Sequence, residues 1–353
     1  MTSPASDPAP SVSPRSSSPP AESPSAQGPT PGPTPGTLPG AEPRSVPAAV
    51  PAAAPGAARR IPAAVWVALG IVYVVWGSTY LGIRVVVETL PPFLSAGARF
   101  VVAGLILAAI IAWRQGPAAL KVSPRELASA AVVGLMLLLG GNALIVLAET
   151  SVPSGLAALL VAIVPAWVVV LKALTGQRPT LGALAGVLLG LAGLAVLTLP
   201  GLSGEVHAGG IALVVMGTLL WSLGSFASSR IPMPANPFTA SVYEMLAGGL
   251  AGLGVGLLRG EHHGLDLAAV STRSWVGLAY LIVFGSLVAF TAYAWLLQSA
   301  PLSLVATYAY VNPIVAVTLG ALLLDEALTW SIVLGGLIVV AGVCLIVSTE
   351  RRR

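Results

Sequence analysis

Apolar residues fall into ten long stretches separated by short polar connections, roughly 63–83, 92–113, 126–147, 154–174, 180–199, 208–229, 237–258, 274–297, 302–323 and 327–348. A helix needs about 20 apolar residues to cross a bilayer, and each stretch is about that long. The pattern therefore predicts ten transmembrane helices in an all-α membrane protein. It also repeats itself halfway. Trp76-Gly77-Ser78 followed by Val164-Pro165 returns as Trp221-Ser222-Leu223 followed by Asn312-Pro313. Trp76 lies 89 residues before Pro165 and Trp221 lies 92 before Pro313, while Gly193 and Gly342 follow these prolines by 28 and 29.

A duplicated unit with an odd number of helices must insert its two copies in opposite orientations, and such inverted repeats are a signature of secondary transporters. The expected organisation is a first five-helix repeat over 61–199 and a second over 208–348. Residues 1–60 differ: Pro, Ser, Ala and Gly dominate and no helical or strand period is visible, so a disordered cytoplasmic tail is expected. The first apolar run begins only at Ile61, which argues against a signal peptide. Pro31 to Pro35 fits either a polyproline ligand or a plain linker.

Lys and Arg between the stretches set the orientation. Arg59, Arg60, Arg114, Lys121, Arg125, Lys172, Arg178, Arg230, Arg351, Arg352 and Arg353 fall on one side, against Arg84, Arg259 and Arg273 on the other. By the positive-inside rule, eleven against three puts both termini in the cytoplasm. Composition agrees with the bilayer and excludes a soluble domain, with 56% hydrophobic residues, 8% charged residues and a mean hydropathy of +0.90. The net charge of +4 then reflects orientation, and no nucleic-acid partner is expected.

Enzymatic chemistry finds little support. Cys344 is the sole cysteine, and His207, His262 and His263 lie in predicted external loops. His262 and His263 are adjacent and so project in different directions, which makes a solvated loop the better reading than a metal site. No phosphate-binding loop of the G-x-x-x-x-G-K-[ST] type is present, so ATP does not drive the chain directly. No cofactor, metal or catalytic residue is expected.

Polar side chains inside predicted spans are costly and therefore face a cavity or a neighbouring helix. Candidates for substrate contact are Trp76, Ser78, Thr79 and Tyr80 in the first stretch, Asn142 in the third, and Trp221, Ser222 and Ser225 in the sixth. Tyr293 in the eighth and Thr307, Tyr308, Tyr310 and Asn312 in the ninth complete the set. Tyr308 and Asn312 are one turn apart and share a face, so they are favoured for a cavity wall. Pro165 and Pro313 sit at matched positions, where a proline removes a backbone hydrogen bond and kinks its helix. The carbonyls of Val161 and Ala309 are then either cavity acceptors or by-products of a structural kink.

Two charges fall within spans at the same position of the two repeats: Arg99 opens Arg99-Phe100-Val101-Val102-Ala103-Gly104-Leu105, and Glu244 opens Glu244-Met245-Leu246-Ala247-Gly248-Gly249-Leu250. A buried ion pair is one reading. Opposed helix directions separate the two by about 10 Å of depth in a core about 30 Å thick, which favours separate gating or coupling roles with local partners. Glu244 is a candidate carrier of a transported proton.

Together, Trp76-Gly77-Ser78-Thr79-Tyr80-Leu81, Arg99 to Gly104, Val152-Pro153-Ser154-Gly155, Arg230-Ile231-Pro232, Glu244 to Ala247 and Tyr308-Ala309-Tyr310-Val311-Asn312-Pro313 resemble the drug/metabolite transporter superfamily. Within it the chain is most similar to the EamA-type exporters of bacterial inner membranes, over about residues 65–348. That resemblance implies ten helices, cytoplasmic termini and export of small metabolites or drugs, driven by protons or by exchange. A homodimer is a candidate assembly, and a lipid-carrier flippase or a membrane-embedded binding or scaffold protein is the alternative function.

Overall fold

The computed structural model describes residues 62–177, 180–198, 208–323 and 329–350, which are helical with no strand among them. Residues 1–60 and the connection 199–207, where a tail and an external linker with His207 are expected, lie outside the described residues, as does Arg178. The helices are α1 (Ala63–Val86), α2 (Pro92–Gln115), α3 (Pro124–Ala148), α4 (Ser154–Leu174), α5 (Leu181–Thr198) and α6 (Ala208–Ser228). There follow α7 (Pro237–Leu258), α8 (Thr272–Ser299), the single turn α9 (Leu302–Val305), α10 (Tyr308–Leu323) and α11 (Trp330–Glu350).

Seven of these, α1 to α4 and α6 to α8, are long and apolar enough to cross a membrane. Shorter apolar runs lie in α5 (Leu184–Gly193), α10 (Val311–Leu323) and α11 (Val333–Gly342). Exposed Trp66, Trp113, Trp275 and Trp330 each lie within the first or last few residues of a helix, where interfacial aromatic belts sit.

Local chemistry explains where the helices start. Pro92, Pro124 and Pro237 each occupy a first helical position, where the missing N–H costs nothing. Ser123 and Glu126 form a reciprocal capping box on α3, Asn236 caps α7 and Ser271 caps α8. The start of α2 is capped from a distance: the Glu261 carboxylate accepts from the N–H groups of Phe93 (3.3 Å) and Leu94 (2.9 Å).

Small residues allow the closest crossings. A methyl on Gly97 of α2 would lie 2.8 Å from the Gly249 carbonyl of α7, and one on Gly193 of α5 would lie 2.9 Å from the Gly335 carbonyl of α11. Backbones can meet at that range only without side chains, which supplies packing where lipid gives helices no hydrophobic drive to associate. The principal neighbours are α2 with α7, α5 with α11, α1 with α8 and α10, α6 with α3 and α4, α3 with α7, and α2 with α8. Exchanging α1 for α6, α2 for α7, α3 for α8, α4 for α10 and α5 for α11 maps this set onto itself.

Two departures from regular helix are shared by the halves. The stretch Leu135–Ala143 of α3 and the stretch Leu281–Phe290 of α8 are π-helical. Such i→i+5 stretches are rare and collect at functional sites. Thr291 closes the second by donating its hydroxyl back to Leu287 and Val288.

The proline positions give a less symmetrical result than expected. In α4 a turn at Ala162–Ile163 interrupts the helix, and Pro165 is the second residue of the resumed segment. In the second half the interruption falls at Ala306–Thr307, six residues before Pro313, and α10 continues through that proline. The ninth stretch is thus two helical pieces rather than one. Thr307 explains the earlier break, since its hydroxyl donates to the Leu304 carbonyl and bonds the Tyr73 hydroxyl at 2.6 Å, competing with the helical ladder.

Candidate substrate cavity

A cavity with about 590 Å³ of empty space, its open side included, lies at the centre of the bundle. Helical spacing decides what each element contributes. Trp76, Thr79, Tyr80 and Ile83 come from one face of α1, since positions three, four and seven apart stack on one side. Leu138, Asn142 and Ile145 enter from α3 on the same rule, and Thr218 and Trp221 from α6. Arg99 and Phe100 of α2, Val161 and Val164 beside the α4 interruption, Gly285 and Phe290 of α8, and Tyr308 and Asn312 of α10 complete the wall.

Aromatic rings close one part of this space. Trp76 meets Trp221 edge-on at 5.3 Å between centroids, Tyr308 at 5.2 Å and Tyr293 at 4.8 Å, all within the range of favourable aromatic pairs. Each indole N–H is used. Trp76 donates to the Gly285 carbonyl at 3.2 Å, and Trp221 donates to the Tyr293 hydroxyl at 3.0 Å. That hydroxyl also bonds Ser225 at 2.7 Å, which fixes the cluster from behind.

Arg99 is the one charged residue among the described residues lining the cavity, and it is 3% exposed. Its Nε donates to the Ser286 hydroxyl at 2.8 Å, and the guanidinium lies 4.6 Å from the centre of the Phe100 ring. Gly285 makes room for it, because a methyl there would stand 2.9 Å from Nη2. Nη1 has no hydrogen-bond partner, and neither does the Asn142 Oδ1.

The sequence candidates separate by position. Trp76, Tyr80, Asn142, Trp221, Tyr308, Asn312 and Arg99 are brought together in the lining. Ser78 turns to the Tyr280 hydroxyl, while Ser225 and Tyr293 stand one layer behind. Asn312, its amide oriented by its neighbours, donates to the Tyr73 and Tyr308 carbonyls at 3.0 and 3.1 Å. Pro165 and Pro313 are outside the lining, although Val161 belongs to it and Ala309 does not. The Tyr310 side chain lies outside the described set.

Arg99 and Glu244 form no ion pair. Glu244 is 2% exposed on α7, one of its carboxylate oxygens lacks a partner, and its backbone packs against Gly134 of α3. Thr218, Gly285, Phe100 and Phe290 were not among the expected wall residues. The spacing of Thr218 to Trp221 could have found the threonine; nothing in the sequence announces Gly285, whose carbonyl accepts from Trp76 within the π-helical stretch of α8.

The description "EamA-like transporter family" matches residues 63–199 and again 208–348. The chain belongs to the EamA-like transporter family. It is 39% identical over 266 residues to the inner membrane transporter YedA of Escherichia coli K12, covering 74% of this chain and 83% of that protein. It is also 26% identical over 292 residues to the "Probable amino-acid metabolite efflux pump" of Salmonella typhimurium LT2, covering 80% and 94%. A solved crystal structure, 19% identical, superposes on 82% of this chain and 98% of its own with a TM-score of 0.61, which shows a shared fold. The two family matches coincide with the two halves of the helical bundle. With seven apolar helices of spanning length, this EamA protein is a multi-pass membrane transporter.

Proposed function

We propose that this EamA protein is a secondary transporter that exports small metabolites or drugs across a bacterial plasma membrane by alternating access, using protons or exchange. The observation that carries the reading is the central cavity, to which both halves contribute and where Trp76 and Trp221, matched across the repeats, face one another. The neighbour relations that survive exchange of the halves support a duplicated bundle, and five helices per copy would insert the two copies in opposite orientations. The names of the Escherichia coli and Salmonella relatives support transport and small-metabolite efflux respectively.

With both termini in the cytoplasm, α2 enters from outside at Pro92, so Arg99 lies in the outer half. A smaller space lined by Ile83, Val86, Ser95, Ala96, Arg99, Val146, Leu278 and Leu281 continues from Arg99 on that side. An apolar cluster including Leu90, Phe93 and Leu278 closes it. This cluster is the outer gate in our reading.

Accumulation of radiolabelled metabolites by inverted vesicles tests export: overproduction should raise uptake of at least one compound, abolished by a protonophore or dependent on counter-substrate. Vesicles indistinguishable from controls across amino acids, organic acids and drugs would overturn it. Orientation is tested in a Cys344→Ser background. His262→Cys should label with an impermeant maleimide in intact cells and Arg178→Cys should not; the reverse pattern inverts the topology.

A further inference from the structure

We propose that Arg99 binds a carboxylate of the transported molecule, so that the substrate class is small organic carboxylates with an apolar or aromatic body. This rests on the cavity being the transport site. A guanidinium at membrane depth is costly unless something compensates its charge, and no carboxylate lies within 4 Å of Arg99 among the described residues. Its Nε is engaged by Ser286, its guanidinium carbon stands 4.6 Å from the centre of the Phe100 ring, and its buried Nη1 has no hydrogen-bond partner, while the residue lines the cavity. The missing partner is an acceptor with negative charge.

Arginine meets carboxylates through two parallel N–H groups. With Nε pinned on Ser286, the edge carrying Nη1 and Nη2 is the one that remains, and the missing side chain of Gly285 leaves room beside Nη2. Among the described residues a single cation lines this cavity, which matches a carboxylate. A phosphate monoester would bring a second negative charge with no cation to meet it. The rest of the wall defines the rest of the ligand: Trp76, Phe100, Phe290 and Tyr308 receive an apolar or aromatic body, and Asn142, whose Oδ1 lacks a partner, accepts from an N–H where the substrate has one.

The experiment uses full-length protein in lipid nanodiscs, with binding of 3-phenylpropionate, 3-phenylpropionamide and 2-phenylethyl phosphate read by thermal stabilisation and isothermal titration. We expect the acid to bind at least about tenfold more tightly than the amide, since the amide leaves the charge uncompensated. Arg99→Gln should erase this preference, and Arg99→Lys should keep part of it. Ser286→Ala, which releases Nε but retains the charge, should weaken it and serves if Arg99→Gln does not fold. Equal binding of acid and amide to the native protein overturns the carboxylate assignment but leaves the cavity as the transport site, as does tighter binding of the phosphate. An acid preference that survives Arg99→Gln places the recognition elsewhere and also overturns it. Failure of all three probes to bind overturns it as well, and vesicle transport of neutral compounds would then show whether the transport reading still stands.

Discussion

Trp76 donates its indole N–H to the Gly285 carbonyl across 3.2 Å, joining α1 to the π-helical stretch of α8. A carbonyl in regular α-helix is occupied by the N–H four residues on. In the π-helical stretch the partner is the N–H five residues on, and the second lone pair of the Gly285 oxygen takes the indole N–H from another helix. Gly285 is also the residue whose missing side chain admits Arg99. One glycine thus meets both an aromatic wall residue and Arg99, the cation that lines the cavity among the described residues.

Trp76→Phe should accordingly preserve most of the ring packing against Trp221 and Tyr308 but lose this bond. About 1 kcal/mol of stability is expected to go with it, together with a severalfold fall in transport, because the ring is no longer held at the cavity wall. Melting in detergent and vesicle uptake measure the two effects. Parental transport in this variant would show that the bond has no part in shaping the cavity.

How much of this was legible in the sequence depends on whether a feature is carried by side-chain pattern or by backbone geometry. The apolar stretches, the duplication and the matched positions of Trp76 and Trp221 come from side-chain pattern; that the two rings meet comes only from the fold. Tyr308 and Asn312 share the wall because four-residue spacing puts them on one face. The π-helical stretches have no side-chain signal, since Leu135–Ala143 reads as an ordinary apolar run of a spanning helix. Pro313 marks the ninth stretch as irregular, while the break itself falls at Ala306–Thr307, six residues earlier, where the Thr307 hydroxyl bonds Tyr73 and Leu304. Arg99 was placed by depth and spacing alone; its partner Ser286 is 187 residues away and belongs to a helix that only the fold brings near.

Gly134 and Gly254 make opposed predictions. Alanine is favoured over glycine within a helix by about 1 kcal/mol, so either substitution would stabilise an isolated helix. A methyl at Gly134 would run into the Glu244 carbonyl oxygen and lie 2.6 Å from its Cα, while a methyl at Gly254 meets nothing within 4 Å. Gly134→Ala must push backbone apart and should lose about 1–3 kcal/mol; Gly254→Ala should be neutral or stabilising. Comparison of melting temperatures decides this, and equal values would mean that α3 and α7 do not cross so closely.

Glu244 separates stability from coupling. It is 2% exposed and one of its oxygens lacks a hydrogen-bond partner, so as a carboxylate it carries a desolvation cost that no ion pair with Arg99 offsets. Glu244→Gln keeps the shape and removes the charge. The expected outcome is an unchanged or raised melting temperature together with transport that no longer responds to an imposed pH gradient. Parental proton dependence in the variant would remove Glu244 from the coupling step, and a large drop in stability would instead identify it as a structural carboxylate.

Tyr308 and Asn312 are neighbours on α10, yet their contacts differ in kind. The Tyr308 ring packs against Trp76 and Tyr293 at 5.2 and 5.8 Å between centroids, and it lines the cavity. Asn312 spends its amide nitrogen on the Tyr73 and Tyr308 carbonyls, tying α1 to α10. Tyr308→Phe should therefore be mild, retaining the ring, whereas Tyr308→Ala should reduce transport at least about tenfold and cost several kcal/mol, as removal of a buried aromatic does. Asn312→Ala leaves two carbonyls without that donor, at about 1 kcal/mol or more each, so its lost transport should come with a lower melting temperature. Uptake at matched expression, together with melting curves, distinguishes the two positions. If Tyr308→Ala transports every substrate of the parent at the parental rate, α10 is a scaffold and the substrate passes along another face.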